Sequence, residues 1–505
     1  MSSADCWTMT VGEQPIPPAT TRSRLAGTPQ QEAFWARLVD DRGGLLLQAR
    51  AGTGKSASCR EGMWRLIERG SRPRIRYCCF NKAIADEFRE KCPAGVEVGT
   101  MHSFGFQTLR SYLSDLKVEP NRSYQIMDRL GLRWGKSFRK AVSQLVSLAK
   151  NHALLPSERG RLHDLLTHYQ VETWDRDEEV IDWSAEVLAR SVEVDQVVDF
   201  DDMLWLPAYH EMVFPEVDLL FIDECQDLNP VQHELAMMMA TGGRAVVVGD
   251  DRQAIYGFRG AATDSMNVLQ GRLQARVLPL TVSFRCPRRH VELAREIVPD
   301  FEAHQDAPDG TLVRSSVEAL GEARDGDLVL SRRNAPLVSR CLDLIASHRR
   351  ANMRGRAFSD QLSILLRKVE PGARTVFDLL KAIEAWKVRE LTKLAAIEGS
   401  EDAAEQVEDK AACLSALAGS CQTPGEVPGV IRRLFEEADP TNRVTFSTIH
   451  RAKGSEAERV YLLDEPYDFN RDRLRPPPAW EVLQRANLRY VALTRSLDSL
   501  TIISI

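Results

Sequence analysis

The run Ala49-Arg50-Ala51-Gly52-Thr53-Gly54-Lys55-Ser56 constrains this chain more than any other segment. It follows the apolar stretch 45–48 and precedes a stretch in which Met63, Leu66 and Ile67 share one helical face. Strand, glycine-rich turn and helix in that order make a phosphate loop. Small residues let successive backbone N–H groups turn inward around phosphate oxygens, and the helix adds its positive N-terminal end. Ala49, Ala51, Gly52, Thr53 and Gly54 are the expected cradle, with Ala49 where the pattern has its first glycine. Lys55 is placed to bridge β- and γ-phosphates, and Ser56 to ligate Mg2+.

A second segment supplies what a bound triphosphate needs. Phe221-Ile222-Asp223-Glu224-Cys225-Gln226-Asp227 closes a strand-like run headed by Asp218. Asp223 is the expected second protein ligand of Mg2+, and Glu224 the group that orients and deprotonates the attacking water. Cleavage spreads negative charge over the γ-phosphate oxygens, where an arginine is worth about 10³–10⁵ in rate. Arg285 and Arg495 stand in segments that suit this role, although chemistry alone favours a surface residue at each. Both lie in the second half of the chain, so ATP would sit between two domains and draw them together.

Further apolar runs at 76–80, 218–222 and 244–249 read as buried parallel strands, alternating with helical patterns. From about 106 to 195 strand runs vanish, and Trp134, Phe138, Leu145 and Leu148 recur at helical spacing. A second set of strand runs, at 276–280, 327–330, 444–447, 459–463 and 500–505, suggests a second α/β domain. It is interrupted from about 352 to 440 by a stretch rich in Ala, Glu and Lys. The expected plan is α/β, two parallel-sheet domains each split by a helical insertion: 25–105 with 196–275, insertion 106–195, then 276–351 with 441–505, insertion 352–440. Residues 1–24, rich in Ser, Thr and Pro, are expected to form a loose tail.

The net charge of −6 removes any whole-chain basic signal for nucleic acid, but binding needs only a local track. Arg332, Arg333, Arg340, Arg349, Arg350, Arg354 and Arg356 crowd one short stretch, either as such a track or as a solvated helix face. Ten cysteines without CxxC spacing argue against zinc ribbons, iron–sulfur clusters and disulfide frameworks. No apolar run reaches the length of about 18 residues that a membrane helix needs. A cytoplasmic protein with no membrane contact is the expectation.

These segments belong to an ordered series. It opens with Thr28-Pro29-Gln30-Gln31 and the phosphate loop, then Phe80-Asn81-Lys82-Ala83 and Thr100-Met101-His102-Ser103-Phe104. Asp199-Phe200-Asp201-Asp202-Met203-Leu204 precedes the acidic strand end, and Gly249-Asp250-Asp251-Arg252-Gln253-Ala254-Ile255-Tyr256-Gly257-Phe258-Arg259-Gly260 follows it. Thr281-Val282-Ser283-Phe284-Arg285, Thr448-Ile449-His450-Arg451-Ala452-Lys453-Gly454-Ser455-Glu456 and Tyr490-Val491-Ala492-Leu493-Thr494-Arg495 complete it. In this order the chain resembles the UvrD/Rep-like superfamily 1A DNA helicases from about residue 27 onward. The resemblance implies two RecA-like P-loop domains and a cleft for ATP and Mg2+.

It also implies roles. Gln31 would read the adenine, with Gln30 as the alternative register, and Phe284 would stack on the base. Gln253 would sense the γ-phosphate, with Arg259 in the same network and Glu456 near the ribose. Asn81, Thr100, His102, Phe200, Thr448 and His450 would touch nucleic acid. Tyr256 and Phe258 would be stacking platforms, though without the resemblance they read as core. Either Cys79 or Phe80 takes the place of the usual aromatic before Asn81. The second insertion is shorter than in full-size members.

The expected function is an ATP-dependent, 3′→5′ translocase or helicase on single-stranded or partly duplex DNA, in repair or replication. The alternatives are a translocase that strips proteins from DNA without processive unwinding, a nucleotide-sensing scaffold without catalysis, and a metabolic P-loop kinase. The last would not explain 100–104 or 448–456.

Overall fold

The computed structural model describes residues 25–505 apart from 71, 170, 174, 194–195, 256–263, 396–400, 438 and 466–478. In chain order its strands are β1 (Leu45–Ala49), β2 (Ile75–Cys79), β3 (Glu97–Thr100), β4 (Lys117–Val118), β5 (Val197–Val198), β6 (Leu219–Ile222), β7 (Arg244–Gly249) and β8 (Arg276–Leu280). They continue with β9 (Val282–Ser283), β10 (Glu302–Ala303), β11 (Thr311–Ser315), β12 (Leu328–Ser331), β13 (Ala351–Met353), β14 (Val444–Thr448), β15 (Ala457–Asp464) and β16 (Ser496–Ser504).

Two six-stranded sheets result, ordered β3-β2-β6-β7-β1-β8 and β11-β16-β15-β12-β14-β13, and every pairing in them is parallel. These are two RecA-like sheets. Parallel sheets are covered on both faces, which explains why their strands are nearly unbroken apolar runs. Alternate residues of one strand feed opposite cores. Leu47, Tyr77, Phe221 and Val248 pack on one face of the first sheet. Leu46, Cys78, Leu220 and Val247 pack on the other. The second sheet divides likewise, with Leu330 and Leu462 against Val329 and Leu463.

One assignment is corrected. Residues 276–280, expected to open the second α/β domain, pair with β1 from Leu45↔Arg276 to Ala49↔Leu280 and so form the outer strand of the first sheet. Pro279 fits there, because a residue without an N–H is tolerated on an edge strand. The crossover to the second lobe comes directly afterwards.

Between β4 and β5, which pair with each other, lie helices Arg122–Arg129, Lys136–Asn151, Arg159–His168 and Asp177–Val192. Val142, Leu145 and Leu188 of these helices share one core with Leu220 and Ile222 of β6. Between β13 and β14 lie helices Arg356–Val369, Val376–Leu394, Glu401–Gly419 and Val427–Leu434, whose Leu379, Ile383 and Leu417 join the core of the second sheet. Among the described residues no helix is long and apolar enough to cross a membrane.

Candidate nucleotide cleft and nucleic-acid face

The phosphate loop leaves β1 at Ala49 and turns through Gly52 and Gly54, at φ 70° and 77°, the left-handed region that only glycine enters without strain. Helix Lys55–Glu68 then begins with no side chain bonded across its end, so its first N–H groups are offered to the loop. A Cβ on Gly52 would stand 2.5 Å from the Cβ of Arg285 and 2.7 Å from Ser283 Oγ. The second lobe therefore lies directly against the loop, and Phe284 N–H donates to Gly52 O at 2.9 Å.

Lys55 Nζ sits 2.9 Å from Glu224 Oε1. Burial works against the Lys55 charge, but Glu224, Asp223 and Asp250 outweigh it and hold the ammonium well above its ordinary value. Burial likewise opposes the Glu224 charge, yet Lys55 and Lys453 hold its carboxyl down to about 2. Glu224 also carries backbone strain at φ 51°. Asp223 is buried beside it and pushed up by burial and then by Glu224. Asp223 Oδ2 accepts from Tyr77 Oη at 2.9 Å and lies 3.4 Å from Ser56 Oγ. Ser56 and Asp223 are hard oxygen donors suited to Mg2+, which keeps most of its shell as water and phosphate and needs only one or two protein ligands. Among the described residues no group of three His, Cys, Asp or Glu could hold a metal on its own.

From the other lobe, Arg285 pairs with Glu456, the residue expected at the ribose. Arg495 is 1% exposed, and its Nε donates to Val491 O at 2.9 Å. Burial and then the neighbouring Arg285 guanidinium bring Arg495 down to about 10. An anion arriving beside these two like charges would relieve their repulsion. Phe284 is half exposed, its ring centroid 4.7 Å from that of His304. Gln253 Nε2 donates to buried Asp250 Oδ2 at 2.8 Å, and the Gln253 backbone carbonyl accepts from Lys453 Nζ at 2.7 Å.

The two glutamine registers differ. Gln31 is 3% exposed; its Oε1 accepts from Thr28 N–H at 3.0 Å and its Nε2 donates to Ser58 Oγ at 3.0 Å. Gln30 spans to the next segment, accepting from Thr281 N–H at 2.8 Å. Both amides are engaged by protein groups, so reading a base requires one of them to exchange partners.

Asn81 and Thr100 cap the helices that begin at the C-terminal ends of β2 and β3, their side-chain oxygens accepting from Ile84 N–H at 2.9 Å and Ser103 N–H at 3.2 Å. Cys79 is buried in the sheet whereas Phe80 is 49% exposed, so of the two only Phe80 presents a face to solvent. Phe200 is 56% exposed. Burial lowers the His102 imidazole against the pull of Asp201. Thr448 ends β14 and lines, with His450 and Arg451, a cavity of about 340 Å3 at the base of the second insertion. Tyr256, Phe258 and Arg259 lie outside the described residues.

Four arginines of the stretch 332–356 are engaged by acids. Arg332 pairs with Glu405 and Glu465, Arg333 with Glu465, Arg340 with Asp343 and Arg350 with Asp325. Glu405 and Glu465 come from elsewhere in the fold, which a linear charge count cannot see. Sequence reasoning also left four residues of this site without a role: Arg50, Tyr77, Lys453 and Tyr490. Each was visible within a quoted motif or strand, but its partner lies far away in sequence.

Residues 28–274 match the UvrD/REP helicase N-terminal domain. Among curated proteins the chain is 28% identical over 265 residues to a probable DNA helicase II homolog of Rickettsia felis, covering 46% of this chain and 38% of that one. It is 25% identical over 296 residues to the ATP-dependent DNA helicase PcrA of Leuconostoc citreum, covering 51% and 37%. Over 182 residues it is 23% identical to the ATP-dependent DNA helicase Rep of Buchnera aphidicola, covering 33% and 26%. The matched parts span well under half of each relative. The matched segment supplies the phosphate loop and the acidic strand end, and over it the chain resembles the UvrD/Rep helicases.

Proposed function

We propose that this chain is an ATP-dependent translocase on single-stranded DNA with helicase activity, moving 3′→5′. The observation that carries the reading is the contact between lobes at the phosphate loop: Gly52 against Arg285, with Glu224 and Lys55 on the facing side. A triphosphate and Mg2+ entering there would meet Lys55, Ser56 and Asp223 from one lobe and Arg285 from the other. Binding would then favour closure, and hydrolysis would release it. The names of the relatives supply DNA as the track.

In the state described here Lys55 holds Glu224 in an ion pair. Phosphate oxygens competing for Lys55 would free the Glu224 carboxylate and raise its basicity, so the base is armed by the substrate. Exposed Phe80 and Phe200, at the ends of β2 and after β5, suit base stacking, which is worth about 1–3 kcal/mol per base regardless of sequence. The same cycle serves repair or replication in the cytoplasm.

The deciding experiment is ATP hydrolysis with and without single-stranded DNA, in the parent and in Lys55→Ala and Glu224→Gln. Stimulated hydrolysis lost in both variants supports the reading; full turnover in either one removes the site assignment. The short second insertion favours a second reading, in which movement strips bound proteins without opening duplex. Strand displacement and streptavidin displacement, run side by side, separate the two.

A further inference from the structure

Arg50 is a long cation inside a loop that otherwise needs small residues, and its guanidinium does not line the cradle. It is 6% exposed and spends its N–H groups on three carboxylates. Nη1 donates to Asp250 Oδ1 at 3.2 Å and to Asp251 Oδ1 at 2.6 Å. Nε and Nη2 grip Asp300 at 3.1, 3.2 and 2.9 Å. Asp250 and Asp251 follow β7 of the first sheet. Asp300 stands between Val298 and Phe301, both packed in the second lobe's core with Leu330, Leu462 and Tyr490.

We infer that Arg50 is a positioning residue that couples Gln253 to closure of the two lobes, a reading that rests on the ATP-driven cycle proposed above. The chain of contacts is continuous. Gln253 Nε2 donates to Asp250, Asp250 accepts from Arg50, and Arg50 reaches Asp300 across the cleft. A parallel strand of the same tie runs through Tyr490, whose hydroxyl accepts from Ala51 N–H at 2.8 Å and lies 3.4 Å from Asp250 Oδ2.

The arms differ in how easily they break. Asp250 is fully buried, so stranding it would leave a desolvated carboxylate without its cation. The Asp300 side chain is 48% exposed, and water can replace that arm. Opening therefore occurs at Asp300, while Arg50 stays with Asp250 and Asp251. Three carboxylates around one guanidinium already neutralise it, which sets it apart from a phosphate ligand. Only a fork of five donors serves them together; a lysine ammonium cannot.

The test uses the full chain carrying one fluorophore on each lobe, with Asp300→Asn, Arg50→Lys and the double substitution. Two quantities are read: the change in distance between lobes when a non-hydrolysable ATP analogue is added, and steady-state hydrolysis with oligo(dT). Asp300→Asn is expected to cut the distance change to less than about half and to lower stimulated kcat about tenfold, while KM for ATP moves less than about threefold. Adding it to Arg50→Lys is expected to cost less than about twofold more, because both break one tie. Parent-like closure and kcat in Asp300→Asn, or effects that multiply in the double variant, overturn the inference. Should Arg50→Lys fail to fold, the surface variant Asp300→Lys takes its place, and normal closure in that variant is equally decisive against it. A parent without DNA-stimulated hydrolysis would sink the proposed function, whereas the distance measurement would still judge the tie.

Discussion

Lys55 Nζ lies 2.9 Å from Glu224 Oε1, so the cation expected at the phosphates holds the carboxylate expected at the attacking water. Neither charge would be comfortable in this buried place alone, and each stabilises the other. Lys55→Ala is expected to lower DNA-stimulated kcat by about 100-fold or more, because it removes charge that the transition state needs and unseats Glu224. Glu224→Gln should lower kcat comparably while retaining ATP binding, measured by fluorescence of a nucleotide analogue. With the Glu224 carboxyl held down to about 2 in the free protein, kcat/KM should show no acid limb from this group above about pH 4. Once ATP draws Lys55 away, the acid limb of kcat should appear at higher pH than that of kcat/KM.

Gly52→Ala tests the contact between lobes. The glycine sits at φ 70°, where a side chain costs about 1 kcal/mol, and its new methyl group would meet Arg285 Cβ at 2.5 Å. Neither atom is the free end of a flexible chain. The substitution is therefore expected to push the lobes apart, raising KM for ATP at least about tenfold with a melting temperature within a few degrees of the parent. An unchanged KM would mean that ATP does not need the lobes in this register.

Acid sensitivity should come partly from His233. The ring is 4% exposed and its Nε2 lies 2.7 Å from Ser265 Oγ. Ser265 Oγ donates to Cys225 O at 2.6 Å, so its lone pairs accept and the imidazole must donate from Nε2 in its neutral form. Burial and then Arg272 lower its pKa from the ordinary value to about 4. The unfolded chain takes up a proton near pH 6.5 that the folded one refuses. The stabilising contribution is thus complete above about pH 6.5 and is lost as pH falls toward 4. In urea titrations at pH 7.5 and 5.5, the parent should be less stable at the lower pH, and His233→Gln should show a smaller difference between the two.

Much of the cleft could be read from sequence because its chemistry is local. Ala49 to Ser56 and Asp223-Glu224 are short runs whose neighbours in the chain are their neighbours in space. What escaped was the contribution of distant partners. Arg50 gives no sign in sequence of facing Asp300, 250 positions away, nor Lys453 of facing Asp227. The edge strand Arg276–Leu280 looked like the start of a new domain because strand patterns do not name their partners. Arg332 and Arg333 read as part of a basic run, and nothing in sequence shows that Glu405 and Glu465 fold onto them.

Phe200, expected to touch nucleic acid, is more than half exposed, and its loop is held from behind. The Asp202 carboxylate accepts from Asp199 N–H at 2.9 Å and the Asp199 carboxylate from Asp202 N–H at 2.8 Å, and Lys150 Nζ reaches Asp199 at 2.9 Å and Asp202 at 2.8 Å. Arg122 closes the group at 2.7 Å from Asp202, while Asp201 accepts from Ser147 Oγ at 2.6 Å. Charges this deeply buried fix a geometry, because breaking any one contact strands the others. An aromatic ring standing 56% exposed on such a base is pre-organised for stacking, and burying it on a nucleobase costs little conformational freedom. Phe200→Ala should therefore weaken single-stranded DNA binding by about 5- to 150-fold, the equivalent of one stacked base at about 1–3 kcal/mol. Phe200→Trp should retain most of the affinity. Fluorescence anisotropy with labelled oligo(dT) at fixed salt measures both, and equal affinity in the alanine variant and the parent would take the DNA away from this face.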